Sequence, residues 1–240
     1  MIGIFDSGIG GATIFKEIIK KIPNQDYIYY SDSKNNPYGD KTKEELFKIT
    51  NNIIKYLINK DCKIIVIACN TASTIINPFR EEYPNIVFIG TEPAYKVVHD
   101  KAFDKKTLIL ATKGTIESEK FNELFNKYNN HQTVLFSCQG LAELIETNNK
   151  KAIDEYLERN ISKFKGTENV VLGCTHYPLI KENITKVLGH VVFFDSSQGI
   201  SNELKRKVDL LNLKGNGFIT FIDSSNNKEK LKRFNKILDK

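Results

Sequence analysis

The 240-residue chain has no tryptophan, a single methionine at its start, six prolines and only four cysteines, none of them closely paired. Unpaired, well-separated cysteines argue against a disulfide framework and for reduced thiols. No window approaches the ~18 consecutive apolar residues of a membrane span. The opening MIGIFDSGIGG has no cationic lead, and its apolar run is too short for a secretory leader, so a cytoplasmic protein without membrane contact is expected. The 35 Lys and Arg outnumber the 29 Asp and Glu, giving +6, but the cations are scattered instead of gathered in one block, and no nucleic-acid partner is expected. The most basic stretch is the terminal NNKEKLKRFNKILDK. Its Leu231, Phe234, Ile237 and Leu238 follow a helical stripe, so its charges read as a solvated helix face.

Short aliphatic runs alternate with longer amphipathic stretches throughout: IGIF then ATIFKEIIKKI, DYIYYS then KEELFKITNNIIKYLINK, KIIVIA, NIVFIG, TLILA, TVLFS, NVVLG, HVVFF and GFITFI. Strand runs that are apolar at every position are buried on both faces. The pattern predicts an α/β fold of mainly parallel sheets covered by helices. No proline-rich or glycine-serine linker divides the chain, so boundaries come from pattern alone. Strand-then-Asp-Ser recurs at IGIFDSG and VVFFDSS, and strand-then-Cys at VIACNT and VLGCTH, which predicts two similar lobes with a cleft between them. The expected division is residues 1–91 plus 205–240 for the first lobe and 92–204 for the second.

In parallel sheets, ligands bind beyond the carboxyl ends of strands, beside helix N-termini. Asp6 and Ser7, then Cys69, Asn70 and Thr71, then Thr112 and Thr115, then Cys174, Thr175 and His176 all take that position. Ser, Thr, Asn and Asp there are also ordinary helix caps whatever the function. Cysteine is a poor cap, so Cys69 and Cys174 stand apart, whereas Cys62 and Cys138 lack the polar follow-on and read as small hydrophobes. A thiol at a helix N-terminus is expected to have its pKa lowered toward neutrality. Two such thiols across a cleft suit a base on one face of a carbon and an acid on the other, which inverts a stereocentre. The expected ligand is a small anion.

Other chemistries fit less of the pattern. Cys69, Cys174 and His176 form a conceivable zinc set, but Cys-x-His in one turn lacks the usual ligand spacing, and no metal is expected. A Cys-His nucleophile leaves one cysteine unexplained. Gly8 and Gly10 are spaced as in a dinucleotide fingerprint, with Asp32 after the second strand, but Thr13 replaces the third glycine.

Taken together and in this order, DSGIGG, PYGDKT, ACNTAS and GCTHYP resemble the glutamate racemase family from about residue 2 to 200. The histidine after Cys-Thr is nearer to glutamate than to aspartate racemases. The resemblance implies a cofactor-independent interconversion of L- and D-glutamate that supplies D-glutamate to peptidoglycan, in a cytoplasmic homodimer. It implies Cys69 and Cys174 as the catalytic pair, Cys69 acting on D-glutamate and Cys174 on L-glutamate, with Asp6 and His176 as their supports. It further implies substrate contacts from Asp6, Ser7, Tyr38, Gly39, Asn70, Thr71, Thr115, Thr175 and His176. Glu146 in LAELIET matches a family glutamate, although Glu143 stands where proline is usual and a plain exposed helix face remains the alternative. A non-catalytic amino-acid-binding or regulatory protein on the same scaffold is the rival function. The chain is short for the family at its end and has no tryptophan, so the final helix, the dimer contacts and any regulatory pocket there are not carried over.

Overall fold

Each of the nine aliphatic runs forms a strand in the computed structural model, which describes residues 1–239. In chain order they are β1 (Ile2–Asp6), β2 (Tyr27–Ser31), β3 (Ile64–Ile67), β4 (Val87–Gly90), β5 (Thr107–Ala111), β6 (Thr133–Ser137), β7 (Asn169–Gly173), β8 (Val192–Phe194) and β9 (Ile219–Asp223). They make two sheets, β4-β3-β1-β2-β9 and β6-β5-β7-β8, and every pairing among the described residues is parallel. The two-lobed α/β architecture expected from the sequence is therefore the one observed.

Burial explains the unbroken apolar runs. In the first sheet Ile2, Ile4 and Val66 face Phe15 and Ile18 of the helix Ala12–Lys21 and Leu204 of the helix Ser197–Leu210. From the opposite face Phe5, Ile65 and Ile67 meet Ile53, Ile54 and Leu57 of the helix Lys43–Ile58. The second sheet repeats this, with Leu108, Leu110, Val170 and Leu172 on one face and Ile109 and Val171 on the other. The edge strands β6 and β9 are covered less, as edges are, and their residues are partly exposed. The helix Lys43–Ile58 starts where the sequence dictates. Thr42 Oγ1 accepts from the Glu45 amide at 3.2 Å and Glu45 Oε2 accepts from the Thr42 amide at 2.9 Å, a reciprocal cap worth about 1 kcal/mol.

Two expectations shift. The helix Ser197–Leu210 runs through residue 204 and sends Ile200, Leu204 and Val208 into the first lobe's core, so the chain has returned to that lobe before the boundary expected near 204. The terminal stripe is also rotated. In the helix Lys228–Asp239, Phe234 is buried among Phe15, Tyr29 and Phe221, whereas Leu231 is 44% exposed. Lys230 and Arg233 consequently turn from solvent toward the second lobe, against the solvated face expected for them.

Candidate active site

Strand register brings the chemistry together. Phe5 pairs with Ile67, which sets Asp6 and Ser7 beside Ala68 and Cys69 at the end of the first sheet. Ala111 pairs with Gly173, which sets Thr112 beside Cys174 at the end of the second. These two ends face each other. The Gly114 amide donates to the Gly39 carbonyl at 3.0 Å, the Thr71 and Thr112 hydroxyls lie 2.9 Å apart, and the Thr175 hydroxyl donates to Asp6 Oδ1 at 3.0 Å, all between lobes.

Between them lies a pocket with about 460 Å³ of empty space, part of it open to solvent. Of the residues singled out in the sequence, Ser7, Tyr38, Gly39, Cys69, Asn70, Thr71, Thr112, Cys174 and His176 line it. Asp6, Thr115, Thr175 and Glu146 do not. Thr115 stands behind Thr112, accepting its hydroxyl at 2.9 Å; Glu146 stands behind His176; Thr175 is spent on Asp6. Tyr38 is fixed by donating to Asp32 Oδ2 at 2.6 Å. Asn70 is 4% exposed, and its Oδ1 has no hydrogen-bond partner, leaving a buried acceptor at the pocket.

Sequence reading missed other walls: Asn36, Asp40, Lys113, Gln139 and Cys138. Cys138, taken for an inert hydrophobe, follows β6 directly, so the strand-then-Cys pattern that marked Cys69 and Cys174 would have found it. Glu143 lines the pocket with an exposed side chain, while Glu146 is 6% exposed, so the exposed-face alternative fails for Glu146.

Each principal thiol has its own polar support. Cys69 Sγ donates to Ser7 Oγ at 3.7 Å, and the charge of Asp6 acts on it. Cys174 Sγ lies 3.7 Å from His176 Nδ1, and the other ring nitrogen meets Glu146 Oε2 at 2.6 Å. Fully buried Asp6 is the acceptor for the Gly8 and Gly11 amides at 3.2 and 3.0 Å as well as for Thr175. The glycines beside it answer the dinucleotide alternative. A Cβ on Gly10 would fall 2.7 Å from the His176 amide nitrogen and from Thr175 Oγ1, and one on Gly8 would strike the Glu146 carboxylate, so the turn is filled by the second lobe and holds no room for a pyrophosphate. No group of three or more His, Cys, Asp or Glu side chains among the described residues is arranged to hold a metal.

Electrostatics differ between the two sides. Burial, reinforced by the charge of Asp6, pushes the Cys69 thiol up to about 12, overriding the Ala72 amide and Ser7. That reverses the expected lowering: the helix behind Cys69 is one turn, Asn70–Ser73, too short to outweigh full desolvation. Burial likewise raises Asp6 above its ordinary value. Desolvation alone would lower His176, but its hydrogen bonds to Cys174 and Glu146 and their charges push it up to about 10. Against burial, which raises it, the hydrogen bond and charge of His176, then Lys230, hold Glu146 well below the usual carboxylate range. Near pH 7 Cys69 is thus a thiol, and His176 an imidazolium facing Cys174.

Comparison with known proteins places these residues in context. The family model for Asp/Glu/hydantoin racemases matches residues 17–199. A glutamate racemase of Clostridium novyi is 42% identical over 248 residues, covering 99% of this chain and 96% of the relative. The crystal structure of glutamate racemase from Francisella tularensis in complex with D-glutamate superposes with a TM-score of 0.83 at 30% identity, covering 100% of this chain and 93% of that one. That of the Escherichia coli glutamate racemase with L-glutamate and the activator UDP-MurNAc-Ala gives 0.82 at 26%, covering 97% and 94%.

Proposed function

The chain belongs to the Asp/Glu/hydantoin racemase family, and from that premise we propose that it interconverts L- and D-glutamate by a two-cysteine, cofactor-independent mechanism. The observation that carries this reading is that Cys69 and Cys174, from opposite lobes, line one pocket and each has a separate polar partner. L-glutamate bound between them loses its α-proton to the Cys174 thiolate, which the His176 imidazolium stabilises. The Cys69 thiol then delivers its own proton to the opposite face. D-glutamate runs the sequence backward, with Cys69 as base and Asp6 beside it.

The difficulty is the weak acidity of the α-C–H bond. With no ring to delocalise the carbanion, fixed donors must stabilise the developing charge, an effect commonly worth several kcal/mol. Ser7 and Thr71 supply hydroxyls, and Asn70 an amide whose Oδ1 is free to accept from the substrate ammonium. That ammonium also opposes the Asp6 charge near Cys69, which favours the thiolate the D-to-L direction needs. Thr115, Thr175, Asp6 and Glu146 serve from behind the pocket wall. The relative from Francisella tularensis was crystallised with D-glutamate, which supports the substrate. In this reading the product feeds peptidoglycan and the enzyme is a cytoplasmic homodimer.

The test is proton NMR of L-glutamate, D-glutamate and L-aspartate in heavy water with purified protein freed of metals and pyridoxal phosphate. Loss of the α-proton signal from both glutamate enantiomers, but not from aspartate, is expected. Persistence of both glutamate signals would refute the proposal.

A further inference from the structure

Glu146 is shared by the two lobes. It ends the helix Leu141–Glu146 of the second lobe, where its Oε2 meets His176 Nε2, yet the same oxygen accepts the Ile9 amide of the first lobe at 3.0 Å. Its Oε1 pairs with Lys230 of the terminal helix. Among the described residues, His176 and Lys230 are its two cationic partners. Three residues along, Arg233 donates Nη1 and Nη2 to the carbonyls of Glu146 and Ile145 at 2.5 and 2.6 Å, satisfying groups that a helix end leaves open. The terminal helix is itself anchored in the first lobe by Phe234, stacked on Phe15 and tilted against Tyr29, whose hydroxyl donates to the Gly8 carbonyl at 3.1 Å.

We propose that Lys230 and Arg233 are positioning residues for the Cys174 half of the reaction: they latch the end of the helix Leu141–Glu146 to the first lobe, hold the Glu146 carboxylate against His176, and so fix the imidazole that faces Cys174. The inference rests on the two-cysteine reading above. With two cations around it, the carboxylate remains a pure acceptor and does not take the His176 proton, so the imidazolium keeps both N–H bonds, one toward Glu146 and one toward Cys174. The Cys69 half is served by Ser7 and Asp6, neither of which hydrogen-bonds to the terminal helix. The direct contacts of the latch therefore fall on the Cys174 half, and the Cys69 half feels it only through the turn at Ile9.

Rates alone do not reveal that asymmetry. The two enantiomers have equal free energy in water, so any variant lowers kcat/KM by one factor in both directions. Isotope effects do separate the halves, because deuterium on L-glutamate is removed at the Cys174 step and deuterium on D-glutamate at the Cys69 step. The experiment compares full-length wild type, Lys230→Met, Arg233→Met and Lys230→Arg on α-deuterated and protiated L- and D-glutamate. Lys230→Met and Arg233→Met are expected to lower kcat/KM about ten- to a hundredfold, as misplaced catalytic groups do. In both, the isotope effect should rise on L-glutamate and fall toward unity on D-glutamate. Lys230→Arg should restore most of the rate. Should Lys230→Met fail to fold, Lys230→Gln keeps a donor without the charge and gives the same reading. Reduced rates with both isotope effects unchanged, or wild-type rates in the Lys230→Met and Arg233→Met variants, would overturn the proposal. A wild type that racemises neither enantiomer fails the two-cysteine reading instead, and separately.

Discussion

The Thr175 hydroxyl of the second lobe donates to the Asp6 carboxylate of the first, 3.0 Å away and out of contact with solvent. Two backbone amides complete the carboxylate's shell, so Asp6 is held by three donors from two lobes. The carboxylate beside Cys69 is thereby tied to both lobes. Under the two-cysteine proposal, the Thr175 contact links the packing of the lobes to the carboxylate beside Cys69, as suits a reaction that must keep water from a carbanion.

Asp6 is not a pocket wall, so its removal should affect proton transfer more than binding. Asp6→Asn keeps the shape and loses the charge, and kcat is expected to fall about 10²- to 10⁴-fold with KM changed only a few-fold. Thr175→Val should lower kcat by a smaller factor in the same direction. Steady-state kinetics in both directions check this, and a loss confined to KM would contradict it.

Cys69→Ala and Cys174→Ala are each expected to abolish racemisation, to below about 10⁻³ of wild type, while leaving D-glutamate binding measurable by calorimetry. Neither side chain provides a structural hydrogen bond that folding would miss; Cys69 donates only the weak contact to Ser7. Near-normal turnover in either variant would leave one thiol without a role and end the two-base reading.

Much of this was legible in the sequence for a simple reason. A strand covered on both faces is apolar almost throughout, so IIVI and VVLG announced themselves, and the residues just after each run had to lie at a sheet end. Cys69 and Cys174 followed from that alone. What stayed hidden was tertiary. Whether Glu146 faces solvent or His176 depends on how the helix Leu141–Glu146 packs in the second lobe, and whether Lys230 is a solvated charge or a partner of Glu146 depends on a rotation of the terminal helix set by Phe234 finding Phe15, Tyr29 and Phe221. Nothing local distinguishes Lys230 from the exposed Lys232 two residues later. The direction of the Cys69 shift was hidden for the same reason, because depth of burial outweighs a one-turn helix.

Gly10 is expected to resist substitution by even one methyl. Its missing Cβ is what lets the His176 backbone and Thr175 approach within 2.7 Å of that position. Gly10→Ala should cost about 1–3 kcal/mol through overpacking and should push the lobes apart at the two supports, Asp6 and His176, together. Thermal unfolding gives the first effect and turnover the second. An unchanged melting temperature with full activity would mean that the lobes do not close this tightly in solution.

The Glu146–His176 pair gives stability a pH signature whose sign follows from its two shifts. His176 rises from an ordinary value near 6.5 to about 10 in the folded state, so its contribution is fully present below about 6.5 and is lost as pH rises through about 10. Glu146 is depressed, so its contribution is present above its ordinary value and is lost as pH falls toward its folded value. Stability from the pair should therefore be greatest between about pH 5 and 6.5. Urea unfolding of wild type and His176→Gln across pH 5 to 10 should give a gap of a few kcal/mol at pH 6 that narrows steadily toward pH 10. Cys69, raised to about 12, also weakens folding above pH 9, but it does so in both proteins and cancels in the difference. A gap that stays constant across that range would mean that His176 is neutral in the folded protein and that Cys174 has no cation beside it.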